Sequence, residues 1–356
     1  MCRFLRLSTY LLAGSLTFGT AWADDNIAEH QTRNLNFGVS GGNINDISKA
    51  YCCSGTLGAL VKDASGTQYV LSNNHVLARS DQAKPGEIIS QPGMIDNGCR
   101  AGTTVAYFTV APKLGSNVDA AVARLEGGTM NATIEDIGQV STAPANPSIG
   151  LLVAKSGRTT GFTTGNIGSI NTRVKVQYQR GCGIGKKFTV TYSDQIVINS
   201  STFSAGGDSG SLIVTDDSCH NPVGLLFAGS STTTIANPIQ EVLTKLGTAL
   251  GTSVGFVGTT CTAGAANTTG PSQTLIDHAT SVANEHGPGL MGQGAVIGVG
   301  VGRADENPAE AIVVIYIDRE VGVVPDLPDQ ARGVRVKRVF TDPFVAGAAG
   351  CCDTCR

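Results

Sequence analysis

The sequence predicts an all-β fold built from many short antiparallel strands, and three observations carry that expectation. Only 15% of the 356 residues are charged while 41% are hydrophobic, a balance that suits packed strands better than long solvent-facing helices. Glycine is abundant, at 46 residues, and with Asn, Asp and Pro it punctuates the chain at short intervals. Between these breaks lie runs rich in Val, Ile, Thr and Tyr, at 54–61, 68–71, 103–110, 120–125, 174–178, 188–192, 195–198, 211–214 and 223–227. This is the rhythm of an antiparallel sandwich or barrel.

Residues 1–23 read as an export signal: Arg3 and Arg6 precede an apolar core at 11–18, and Ala21-Trp22-Ala23 offers a small-residue cleavage site. The apolar run is shorter than the roughly 20 residues needed to span a bilayer, so a membrane anchor is not expected. The expected location is secreted or periplasmic. Losing Arg3 and Arg6 moves the formal charge from −3 to −5, which gives no basis for a nucleic-acid partner.

Residues 24–46 form a polar leading segment or propiece, and the main domain is expected at 47–258. Near its end, 238–246 has helical spacing with Pro238 at its start and Gly247 after it. The Thr-, Ala- and Gly-rich stretch 259–271 reads as a linker. Beyond it, 272–345 reads as a small α+β module: a helix over 272–286, stopped by Gly287-Pro288-Gly289, then strands at 295–301, 311–317 and 333–339. A Cys-rich tail, 346–356, follows.

Of ten cysteines, Cys2 lies in the leader, and an exported chain can form disulfides among the other nine, with one thiol left unpaired or pairing between chains. Cys52, Cys53 and Cys99 could staple the region around His75, while Cys182 and Cys219 bracket the loop around Ser209; the spacing leaves the connectivity open. Cys351, Cys352 and Cys355 have no second ligand cluster at zinc spacing, so a disulfide or a free tail is expected rather than a metal site. Gly298, Gly300 and Gly302 lie within an expected strand with no helix after it, and read as close strand packing rather than a dinucleotide loop. No cofactor and no metal are expected.

Chemistry concentrates at Gly206-Gly207-Asp208-Ser209-Gly210-Ser211, with His75 at the end of one apolar run and Asp119 at the start of another. A serine hydroxyl holds its proton too firmly to attack near neutral pH, so acyl transfer needs an imidazole within reach and a carboxylate to orient it. His75 can serve as base, Asp119 as orienter and Ser209 as nucleophile. The glycines permit a backbone in which the amides of Gly207 and Ser209 both face one developing oxyanion. Among five histidines only His75 has a suitable context.

These residues, with 53–60, 71–76, 117–121 and Ser156-Gly157-Arg158-Thr159-Thr160-Gly161, make the stretch from about 50 to 250 resemble a chymotrypsin-fold serine protease of the secreted bacterial α-lytic type. The resemblance implies two packed six-stranded antiparallel β-barrels with the site between them. It also implies that Arg158 braces Asp208, since no activation sequence supplies a new N-terminus. It puts Phe203 at the base of the substrate pocket, with 225–230, including Phe227, Ala228 and Gly229, forming the wall that pairs with a peptide substrate. No acid is placed to bind Lys or Arg, so a small or apolar side chain is the expected preference. One departure stands out: where the family has Ala-Ala-His-Cys, this chain has Asn73-Asn74-His75-Val76.

The leading function is a serine endopeptidase working through an acyl-enzyme on protein or peptide substrates. The alternative is a catalytically silent, protease-like binding protein. An esterase with a nucleophile elbow is disfavoured, because Ser211 stands where that motif has its last glycine. Oligomeric state is left open.

Overall fold

The computed structural model describes residues 35–49, 51–127, 130–261, 270–321, 329–347 and 349–350. The expected leader, residues 24–34 and Cys351, Cys352 and Cys355 lie outside them. Two curled, mainly antiparallel sheets dominate. The first comprises β1 (Val39–Asn43), β2 (Cys53–Leu57), β3 (Ala59–Asp63), β4 (Gln68–Ser72), β5 (Ile88–Gln91), β6 (Thr103–Val110) and β7 (Ala121–Leu125), in the order β3-β4-β7-β6-β5-β1-β2. β2 continues into β3 through Gly58 alone, whose N–H donates to Leu71 O at 2.9 Å, so the sheet curls into a barrel of six strands. Its core is aliphatic and small: Leu57, Val61, Val70, Leu71, Ala121, Val122 and Ala123 are all fully buried.

The second barrel comprises β8 (Leu152–Lys155), β9 (Thr163–Gln179), β10 (Lys187–Asn199), β11 (Leu212–Thr215), β12 (Pro222–Gly229) and β13 (Thr233–Pro238). Pairing of β9 with β10 closes the ring β8-β9-β10-β13-β12-β11. The three runs 174–178, 188–192 and 195–198 belong to two long strands, and the Ser193–Asp194 interruption is a register shift with Asp194 at φ +61°. Along β9, buried Val174, Val176 and Tyr178 alternate with half-buried Arg173, Lys175 and Gln177, the period-2 pattern of a one-sided strand.

Helix α1 (Asn74–Leu77) is a single buried turn, and α2 (Ile239–Leu250) closes the two-barrel unit, followed by β14 (Val254–Phe256). Gly247 does not stop α2. The helix buries Val242 and Leu246 and ends at Gly251, which takes the left-handed conformation at φ +71°.

The segment after residue 270 contains α3 (Gln273–Met291), β15 (Val296–Arg303), β16 (Ala311–Asp318), β17 (Gln330–Ala331), β18 (Val334–Thr341), β19 (Phe344–Val345) and β20 (Ala349–Gly350). Its sheet is not separate: β15 pairs with β9 and extends the second barrel's sheet through β16 and β18. One apolar cluster joins Ile167, Ile198 and Ile213 of the barrel to Ile276, Val282, Val299 and Ile315. The expected stop at Gly287-Pro288-Gly289 is overridden, because a buried stripe of Ile276, Ala279, Ala283, Gly287 and Met291 continues along α3 against β15 and β16. Gly300 and Gly302 sit where β15 meets β9; a Cβ on Gly300 would fall 2.2 Å from Thr172 Oγ1, so strand packing demands the glycine.

Disulfides join Cys52 to Cys99, Cys53 to Cys182 and Cys219 to Cys261. The first staples the barrel that carries His75. The second ties that barrel to the β9–β10 hairpin of the other.

Candidate active site

His75 lies on α1, held by its environment at both ends. Its backbone N–H donates to Asp119 Oδ1 at 3.1 Å, and its Nδ1 lies 2.6 Å from Asp119 Oδ2. Asp119 is fully buried just before β7. Its N–H donates to Asn237 Oδ1 and its carbonyl accepts from Asn73 Nδ2. The departure around the histidine thus has a structural use: Asn73 ties the histidine turn to the acid, while Asn74 Nδ2 donates to Pro112 O and Asp81.

Sequence reasoning missed the third donor to the acid. Tyr178 Oη donates to Asp119 Oδ2 at 2.9 Å and lies 2.7 Å from Tyr192 Oη, with its ring edge-on to His75. Burial, with the negative charge of Asp119, pushes the Tyr178 phenol well above its ordinary value, so it acts as a neutral donor. Nothing local signals this pairing, since Tyr178 and Tyr192 reach Asp119 only through the β9–β10 hairpin. Asp46, close to His75, is raised to about 6, because burial outweighs the attraction of Arg79 and His75.

Ser209 lies on the loop before β11. Its carbonyl accepts from Thr56 N at 2.8 Å, and Thr56 Oγ1 donates to Gly207 O at 2.9 Å, so β2 of the first barrel grips the loop of the second. Gly207 adopts φ +100°. Among the described residues, no hydrogen bond occupies the Gly207 or Ser209 amides. Gly210, at φ +99°, packs so closely that a Cβ there would fall 2.2 Å from Thr56 O and Ser72 Oγ. A Cβ on Gly55 would meet both Val76, beside His75, at 2.6 Å and Ser209 O at 2.8 Å, which places the serine loop against α1.

The expected Arg158–Asp208 brace is not formed. Arg158 instead forks onto Asp96, Nε to Oδ2 at 2.6 Å and Nη2 to Oδ1 at 2.5 Å. Asp208 pairs with buried Lys155 at 3.4 Å and accepts from Thr160 Oγ1, Thr159 N, Thr160 N and Ala205 N. The 156–161 turn presents its amides to Asp208 and so directs the guanidinium away from it. Burial raises the Asp208 carboxyl, but Lys155 and these donors overcome it and hold the group below its usual range.

The expected pocket also needs correction. Phe203 is fully buried in the second barrel's core with Ile167, Ile198 and Leu226, and Phe227 packs on Tyr192 with ring centroids 4.9 Å apart. These rings hold the barrel, and neither lines the cavity of about 250 Å³ that runs beside His75, Tyr178 and Arg79. Ala228 is likewise buried, while Gly229 meets a strand in the cleft. That strand is the chain's own β19, and Ser209 Oγ donates to Gly347 O at 3.3 Å. His75 Nε2 is buried with no hydrogen-bond partner among the described residues.

Two β-barrels with a buried histidine–carboxylate pair on one and a glycine-bounded serine on the other define a chymotrypsin-like serine protease fold. The chain belongs to peptidase family S64, whose family model matches residues 29–248. It is 28% identical over 209 residues to Protein NARROW LEAF 1 of Oryza sativa subsp. japonica, a match covering 50% of this chain but only 34% of the rice protein. Similar solved structures include a glutamic-acid-specific serine protease, 21% identical, covering 62% of this chain and 100% of that one at a TM-score of 0.44. Thermobifida fusca protease A is 20% identical, with coverage of 62% and 98% and a TM-score of 0.40. For Nocardiopsis protease the values are 20%, 59% and 95%, and 0.39. Among the described residues no helix is long and apolar enough to cross a membrane.

Proposed function

We propose that this chain is an exported serine endopeptidase that hydrolyses peptide bonds through an acyl-enzyme, with Ser209 as nucleophile, His75 as base and Asp119 as orienter. The observation that carries the reading is the buried 2.6 Å contact of His75 Nδ1 with Asp119 Oδ2, which leaves Nε2 without a hydrogen-bond partner among the described residues. Such a carboxylate fixes the imidazole's tautomer and stabilises the imidazolium formed when Nε2 takes the serine proton. The Gly207 and Ser209 amides receive the oxyanion. Asp208 and Lys155 hold the loop that presents those amides; Arg158 contributes indirectly, through Asp96 and through its N–H to Thr56 Oγ1 at 3.0 Å. Export accords with the basic-apolar leader and with the disulfides among the described residues.

The reading is tested by turnover of a mixed peptide library. Wild-type protein should cleave, Ser209→Ala should lose turnover, and Asp119→Asn should lower kcat on the order of 10⁴-fold while remaining folded. Wild-type rates in both variants would overturn the assignment.

A further inference from the structure

The segment after β18 crosses the cleft in the manner of a peptide substrate. Val345 pairs antiparallel with Gly229 of β12, and Phe344 and Val345 pair in parallel with Val176 and Gln177 of β9. Ala346 N–H donates to Gln177 O at 2.9 Å. Two residues beyond Val345, Gly347 brings its carbonyl oxygen to 3.3 Å from Ser209 Oγ. Further on, β20 pairs antiparallel with β2, Ala349 opposite Ser54 and Gly350 opposite Cys53. Residues 344–347 and 349–350 are therefore paired to the walls of the cleft on either side of Ser209, which is strand addition with the Gly347 carbonyl at the nucleophile.

Resting on the endopeptidase reading, we infer that the bond following Gly347 is this enzyme's own substrate, and that the cleft takes extended peptides with a glycine on the acyl side. The side chains of the bound segment set the class. Phe344 is fully buried against Tyr316, ring centroids 5.7 Å apart, in a cluster with Val174 and Val176. Val345 is exposed, and Ala346, a small residue, is buried. The pattern is aromatic, any residue, small, glycine, then the cleaved bond.

In the reaction, the Gly347 carbonyl turns its oxygen toward the Gly207 and Ser209 amides and its carbon toward Ser209 Oγ. The Oγ–C bond forms as the hydroxyl proton passes to His75 Nε2. The Gly347–Ala348 C–N bond then breaks, and that proton goes to the departing amine of Ala348. Water, deprotonated by His75, hydrolyses the Gly347 ester and restores the Ser209 hydroxyl.

The test uses full-length wild-type protein, Ser209→Ala and Gly347→Arg, incubated and then measured as reduced, denatured intact masses, with fluorophosphonate labelling run in parallel. The expected result is a wild-type chain ending at Gly347 and both variants uncut, at a wild-type cleavage rate that does not change with protein dilution. A wild-type protein that labels with fluorophosphonate yet retains residues 348–356 would overturn this inference and leave the endopeptidase reading standing. A wild-type protein that neither labels nor cleaves would instead defeat the endopeptidase reading and this inference with it. Cleavage of Gly347→Arg at the wild-type rate would refute the glycine requirement.

Discussion

At the scale of single residues, the site is a set of buried polar groups whose charges are held by specific partners. Asp119 is satisfied by His75, Tyr178 and its backbone neighbours, and Asp208 by Lys155 and four donors. Asp46 differs, because burial raises it from 3.8 to about 6 and neither Arg79 nor His75 offsets that. A carboxyl raised on folding favours the native state below its unfolded value, and that contribution is lost as pH rises through about 6. Asp46→Asn removes the ionisation. Unfolding free energies from urea titration should therefore match wild type near pH 3 and exceed it near pH 7.5 by up to about 3 kcal/mol. An equal difference at both pH values would show that Asp46 is not held in this way.

At the scale of elements, the paired strands explain both the site and its occupant. β19 is anchored by Phe344, a fully buried ring between the barrel and the added strands. Truncating a buried phenylalanine costs about 3–5 kcal/mol, and here the loss falls on a short segment whose remaining ties are a few strand hydrogen bonds. Phe344→Ala should therefore loosen residues 344–347 and lower KM for added peptides about tenfold or more, seen in steady-state kinetics; an unchanged KM would mean that the segment does not compete for the cleft. Much of this level was legible in the sequence. The strand at 103–110 and the runs around β11, β12, β15 and β16 follow local period-2 or apolar patterns, and Ser209, His75 and Asp119 sit in distinctive local contexts. What escaped depends on distant partners. Arg158 reads as a brace from its motif alone, but Asp96, 62 positions earlier, claims it. Gly287-Pro288-Gly289 reads as a stop, but packing on β15 carries the helix through. The path of 344–350 through the cleft has no local signal, because its register is set by β2, β9 and β12.

At the scale of the whole molecule, the residues after 270 extend the second barrel's sheet and carry a strand back between the two barrels. His75, Asp119 and Ser209, the bracing pairs and a substrate-like strand thus converge on one cleft, with the Cys53–Cys182 disulfide joining its two sides. The central claim is that Ser209 is an activated nucleophile. Reaction of the folded protein with a fluorophosphonate, followed by peptide mapping of the adduct, tests it most directly. The expected result is one adduct, on Ser209, absent from Ser209→Ala and strongly reduced in His75→Ala. Folded wild-type protein that takes no label, or takes it equally in Ser209→Ala, would contradict the claim.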